Sequence, residues 1–155
     1  MLKVPEHVET YKSNLPECVI FDLDNTMAYH VARSYYEWDK IMTDWCDPRY
    51  VKLVEHYLKS GVRVIFLTGR PEDKARELTF WWIVGNVTGI TTGNWELICA
   101  DEHPTGGSAE AKRLMYNKHI KGKYNVLCSY DDSQSCVDMW RDEGILTAQS
   151  NNGMK

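Results

Sequence analysis

Short apolar, β-rich runs recur along the chain, separated by stretches in which apolar positions return every three or four residues. The runs at 19–21, 62–67, 97–100, 126–130 and 145–148 predict strands. Between them, 50–60 reads as a helix, with Val51, Val54 and Leu58 on one face and Gly61 as its stop. A second helix opens with Pro71, Glu72 and Asp73, residues suited to a first helical turn, and Ala75, Leu78, Thr79 and Trp82 give it a face. A third covers 108–119, with Ala111, Leu114 and Met115 inward, and a fourth covers 133–143, with Val137 and Trp140 inward and Gly144 after it. Strands alternating with helices imply an α/β fold, a mostly parallel sheet with crossover helices on its faces. Trp81, Trp82 and Trp140 are expected in the core, and residues 149–155 are expected to fray.

With 155 residues, 43% of them hydrophobic and 26% charged, the chain has the size and balance of one globular domain, 1–155. No apolar run is long enough for a membrane span, and the first residues lack the apolar core of a signal peptide, so a cytoplasmic protein without membrane contact is expected. The five cysteines are odd in number and form no CxxC pair, so they read as reduced core residues. A net charge of −4 provides no general basic field for tracking a long nucleic acid. The five histidines show no metal-ligand spacing.

In a parallel sheet, ligands bind beyond the carboxyl ends of the strands, and the chemically suggestive residues fall there. Asp22 and Asp24 follow the first strand in VIFDLDNT. Taken alone, they read equally as turn or capping residues. Thr68, Gly69 and Arg70 follow the second strand and precede a helix, a setting for a bound phosphate and also an ordinary turn. Asp131 and Asp132 end the fourth strand. Two like charges about 4 Å apart cost roughly 4 kcal/mol at an effective dielectric of about 20, so converging acidic pairs call for a divalent ion. Oxygen ligands without His or Cys suit Mg²⁺. Lys112, on the helix before the fourth strand, reads alone as a surface lysine or as a cation brought over the cluster.

The ordered set DLDNT, TGR, Lys112 and Asp131-Asp132 resembles the haloacid dehalogenase (HAD) superfamily of phosphatases over nearly the whole chain. The resemblance implies a Rossmannoid three-layer αβα sandwich. It implies Asp22 as the nucleophile forming an aspartyl-phosphate and Asp24 as the general acid and then base, its proton favoured by neighbouring carboxylates. Thr68 and Lys112 would bind the phosphate. The Mg²⁺ ion would be held by Asp22, the Asp24 carbonyl and the acidic pair, with Asp132 the more direct ligand and Asp131 holding Lys112 or a metal-bound water. Large HAD caps have no room here. Only a flap of about 27–48 precedes the first helix, and the third strand runs almost directly into the Lys112 helix.

The flap from Arg33 through Tyr35, Tyr36, Trp38, Asp44 and Pro48 is similar to that of the 3′-phosphatase domains of phage polynucleotide kinases. So are Lys118-His119-Ile120 after Lys112 and Val137-Asp138-Met139-Trp140-Arg141 after the acidic pair. This resemblance implies removal of 3′-phosphates from nucleic-acid ends or nucleotides, with Arg33, Gly69 and Arg70 near the substrate phosphate and a separate kinase or ligase as a possible partner. No GxxxxGK[ST] loop is present, so 5′-phosphorylation is not expected. Ser133 stands where a basic residue is expected, and residues 106–110 lack a charged run, which argues for a short end or a nucleotide over a long polymer. Tyr35, Tyr36 and Trp38 read as flap packing, or as stacking partners for a terminal base. Lys118, His119, Lys121 and Lys123 read as a solvated turn or a nucleic-acid track. A small-molecule nucleotidase or sugar-phosphate phosphatase is the main alternative. A receiver-like signalling domain is the remote one, because a receiver's phosphorylated aspartate stands alone after a middle strand.

Overall fold

A computed structural model describes residues 11–151. The elements follow in the order β1 (Glu17–Phe21), β2 (Ala28–Tyr29), a 3-10 helix (Trp38–Thr43), β3 (Trp45–Cys46), α1 (Pro48–Lys59), β4 (Arg63–Pro71), α2 (Glu72–Asn86), β5 (Trp95–Ala100), α3 (Gly107–His119), β6 (Asn125–Asp131), α4 (Gln134–Asp142) and β7 (Thr147–Gln149). All five predicted strands and all four predicted helices form. Five strands build one parallel sheet in the order β5-β4-β1-β6-β7.

Side-chain alternation along the strands assigns the helices to two faces. Val19 and Phe21 of β1, Val64 and Phe66 of β4, and Leu97 and Cys99 of β5 pack with Val54 of α1 and with Ala75, Trp82 and Ile83 of α2. The intervening Cys18, Ile20, Ile65, Leu67, Ile98 and Ala100 pack with Met115 of α3 and with Cys136, Met139 and Trp140 of α4. Strands buried on both faces read as continuous apolar runs, which is why the sequence pattern finds them. The result is the three-layer α/β arrangement.

Several boundaries differ from expectation, two of them for clear local reasons. α1 starts at Pro48, earlier than predicted, because Asp47 caps it by accepting from Arg49 N at 2.9 Å. Gly61, at φ 78°, lies just beyond its end. β4 runs on to Pro71, so this proline precedes the first helical turn of α2. The β4–β5 pairing jumps from Thr68↔Cys99 to Pro71↔Ala100, leaving Gly69 and Arg70 as extra residues that bulge out of the ladder. Trp81 is 54% exposed, against expectation, whereas Trp82 and Trp140 are buried. Adjacent helical residues point about 100° apart, and it is Trp82 that shares the inward face of Ala75 and Thr79. The expected fraying does not extend to 149–151, which make specific bonds; 152–155 lie outside the described residues.

The flap comprises β2, the 3-10 helix and β3, with β2 and β3 pairing as Ala28↔Cys46 and Tyr29↔Trp45. Only six residues separate β5 from α3.

Candidate active site

β1 lies between β4 and β6, so the carboxyl ends of three adjacent strands converge on one edge. Asp22 is tied to β6 by its backbone N–H, which donates to Tyr130 O at 2.9 Å. Its carboxylate is buried; Oδ1 accepts from Lys112 Nζ at 2.8 Å and Oδ2 from Thr26 Oγ1 at 3.0 Å. Lys112 reaches the cluster from α3 and also donates to Asp131 Oδ2 at 2.6 Å, where Trp140 Nε1 adds a bond at 3.2 Å. Asp22, Asp131 and Asp132 each place a carboxylate oxygen within 4.8 Å of the others, and all three are buried. Three carboxylates against one lysine leave net negative charge on hard oxygen donors, a set that fits a divalent cation such as Mg²⁺. Burial, and then the charge of Asp131, push the Asp22 and Asp132 carboxyls above their ordinary range, while Lys112 pulls the other way. Burial works against the Lys112 charge, but Asp22 and Asp131 outweigh it and hold the ammonium protonated.

Asp24 sits in a different environment from the one its sequence neighbours suggest. Arg70, aimed by the bulge in β4, meets it with NH2 at 2.7 Å and Nε at 3.1 Å from Oδ1, and His30 Nε2 lies 2.7 Å from the same oxygen. Burial pushes the Asp24 carboxyl up, but the Arg70 charge and the His30 hydrogen bond prevail and hold it well below the usual carboxylate range. The expected upward shift is therefore reversed, because the groups touching Asp24 are cationic or hydrogen-bond donors.

Arg33 and Arg70 are both buried and converge on one acceptor, Asp44. Arg33 forks onto it with Nε and NH2 at 2.7 and 2.8 Å, and Arg70 NH2 donates to it at 3.0 Å. Arg70 NH1 also donates to Thr79 Oγ1 at 3.1 Å. The two guanidiniums expected beside the substrate thus hold Asp24 and Asp44. Thr68 is buried at the end of the ladder, its Oγ1 accepting from Arg70 N at 3.2 Å, and no atom beyond its chain neighbours lies within 4 Å of where a Cβ on Gly69 would stand. All the predicted site residues thus gather at one sheet edge.

Three contributors have no role assigned from the sequence. His30 carries no motif. Thr26 lies four residues after Asp22, a relation that only the turn of the loop makes useful. Asp44 belongs to the flap, and its partner role depends on burial.

The flap aromatics divide. Trp38 packs on the core and lies under Arg33, with 5.7 Å from its ring to the guanidinium carbon. Tyr35 packs edge-on to both Tyr36 and Trp38, and burial followed by the Asp24 charge pushes its hydroxyl up to about 12. Tyr36 is 79% exposed. Lys118 and Lys121 are paired with Asp101 and Glu143, as in a solvated turn.

The family described as the polynucleotide kinase PNKP phosphatase domain matches residues 16–154. This chain belongs to that family. Membership places it among the phosphoric monoester hydrolases. A putative bifunctional polynucleotide kinase/RNA ligase of Autographa californica nuclear polyhedrosis virus is 28% identical over 137 residues, covering 85% of this chain and 19% of the viral protein. A chain in the structure of a Pnkp1/Rnl/Hen1 complex superposes with a TM-score of 0.82 at 27% identity, covering 93% of this chain and 48% of that one. The chain therefore spans about half or less of these relatives. A class C acid phosphatase from Bacillus anthracis shares the HAD-like fold, with a TM-score of 0.62 at 13% identity over 96% of this chain and 70% of its own. Among the described residues no helix is long and apolar enough to cross a membrane.

Proposed function

We propose that this domain is a Mg²⁺-dependent 3′-phosphatase of nucleic-acid ends, working through an aspartyl-phosphate on Asp22. The observation that carries the reading is the sharing of one sheet edge by two carboxylates in opposite settings. Asp22 lies among Lys112, Asp131 and Asp132, while Asp24 is held by Arg70 and His30.

Asp22 Oδ attacks phosphorus as the bond to the 3′-oxygen breaks, and Asp24 in its acid form gives that oxygen its proton. Asp24 then takes a proton from water, whose oxygen attacks phosphorus and releases phosphate from Asp22. A phosphate dianion entering beside Asp24 opposes the downward pull of Arg70, which ties proton uptake to substrate binding. Lys112, the Thr68 hydroxyl and the backbone around Gly69 face the phosphate oxygens; Arg70 orients Asp24 directly, and Arg33 holds Arg70 in place through their shared acceptor Asp44. Asp22, the Asp24 carbonyl and Asp132 would hold a divalent ion, which when bound would supply charge neutralisation at the phosphate. Tyr36 offers a stacking surface to the terminal base.

The relatives named for a bifunctional polynucleotide kinase/RNA ligase and for a Pnkp1/Rnl/Hen1 RNA repair complex support RNA ends as substrate and joint action with a kinase or ligase. Free cysteines agree with a reducing cytoplasm.

Phosphate release with Mg²⁺ from a 3′-phosphorylated oligonucleotide, its 5′-phosphorylated counterpart and a 3′-mononucleotide tests the reading. Preference for the 3′-phosphorylated oligonucleotide is expected, with turnover abolished in Asp22→Asn while the circular-dichroism spectrum of the folded protein is retained. Equal rates on the mononucleotide would make the protein a nucleotidase, and an active Asp22→Asn would sink the covalent mechanism.

A further inference from the structure

The segment 149–151 bonds to both sides of the carboxylate cluster. Gln149 Nε2 donates to the backbone carbonyl of Asp132 at 3.0 Å, and Ser150 N donates to the carbonyl of Asp131 at 3.0 Å. Asn151 Nδ2 then donates to the carbonyl of Asn25 at 2.6 Å, across the site in the loop that follows the nucleophile. Among the described residues Asn25 is the one non-glycine with positive φ, at 60°. Ser150 Oγ lies 3.4 Å from Thr26 Oγ1, the hydroxyl that donates to Asp22.

The sheet ladder holds β1 against β6 as far as Phe21↔Tyr130. Beyond that pair, the Asp22–Thr26 loop leaves the ladder, while β6 pairs with β7 as far as Asp131↔Gln149 before the Asp132 turn, and both segments carry carboxylates that repel one another. Lys112 bridges the Asp22 and Asp131 side chains, whereas the backbone carbonyls of the two loops are tied together through 149–151. We propose that 149–151 is a strap that keeps these two loops at metal-binding spacing, with Gln149 and Asn151 as positioning residues for the divalent cation. The inference rests on the metal-dependent reading above. Groups that orient ligands from behind typically change metal affinity by about 10- to 100-fold when removed.

The test is a titration of the melting temperature against Mg²⁺, which reports binding without substrate, on wild type, Gln149→Met, Asn151→Ala and the double variant. Gln149→Met keeps length and loses the donor. Thr147→Val serves as the control, since Thr147 shares β7 with Gln149 but the substitution cuts the 2.8 Å bond to Ser129 of β6 and touches neither loop. Each single variant is expected to need about 3- to 10-fold more Mg²⁺ and the double about 10- to 100-fold more. Thr147→Val should titrate like wild type, and the Mg²⁺ half-saturation of phosphate release should move in parallel with binding. A double variant that titrates like wild type overturns the strap, as does a Thr147→Val as impaired as the double. A wild-type protein with no Mg²⁺ response overturns the metal reading itself and the strap with it.

Discussion

Asp44 accepts from two buried guanidiniums at once, and its side chain is fully enclosed. Asp44→Ala would leave two cations buried with one acceptor fewer, a loss of roughly 3–5 kcal/mol of stability by chemical denaturation. Arg70→Lys keeps the charge but loses the fork that meets Asp24, Asp44 and Thr79 together. Because a displacement of about 1 Å in a positioned catalytic group costs on the order of 10²-fold, kcat on a 3′-phosphorylated oligonucleotide should fall by about that factor. A variant with wild-type kcat would show that the Asp24 geometry does not depend on the fork.

Individual elements carry these residues into place. The bulge in β4 redirects Arg70 from the sheet to Asp24, and α2 anchors the flap through Trp82, whose Nε1 donates to Asp44 O at 3.0 Å. Trp82→Phe removes that bond and should cost about 1 kcal/mol. Trp82→Ala also empties a core site and should cost about 3–5 kcal/mol. Limited proteolysis should cut first within 30–44 in the alanine variant; cleavage elsewhere first would argue that other contacts hold the flap. α3 performs the corresponding task on the other face, since burying Ala111 and Met115 carries Lys112 over the carboxylate edge.

Both faces of the sheet are closed by helices, and this enclosure reaches the thiols. Burial pushes Cys18 and Cys99 up to about 12, whereas half-buried Cys46 is pushed up to about 11. At pH 8 a thiol reagent should therefore modify Cys46 first. Cys18 and Cys99 should react only as the protein unfolds, which residue-resolved mass spectrometry of the labelled chain can follow. Rapid native labelling of Cys18 would mean that the β1 core opens far more readily than its packing implies.

The chain's periodicity alone specifies the alternation of strand and helix, because doubly buried strands must be continuously apolar and helices must present one apolar face. Strand ends then follow, and with them Asp22, Asp24, Thr68, Asp131 and Asp132 at one edge, whereas Lys112, on a helix, joins them in the sequence only through the resemblance to HAD phosphatases. What surrounds Asp24 is not legible in that pattern. His30 and Arg70 are 6 and 46 residues away in the chain, and their effect on its carboxyl arises from a bulge and a flap turn. The exposure of Trp81 and the ordering of 149–151 escape for the same reason. Local pattern records which faces are buried, whereas hydrogen bonds between distant loops exist only once the sheet has brought those loops together.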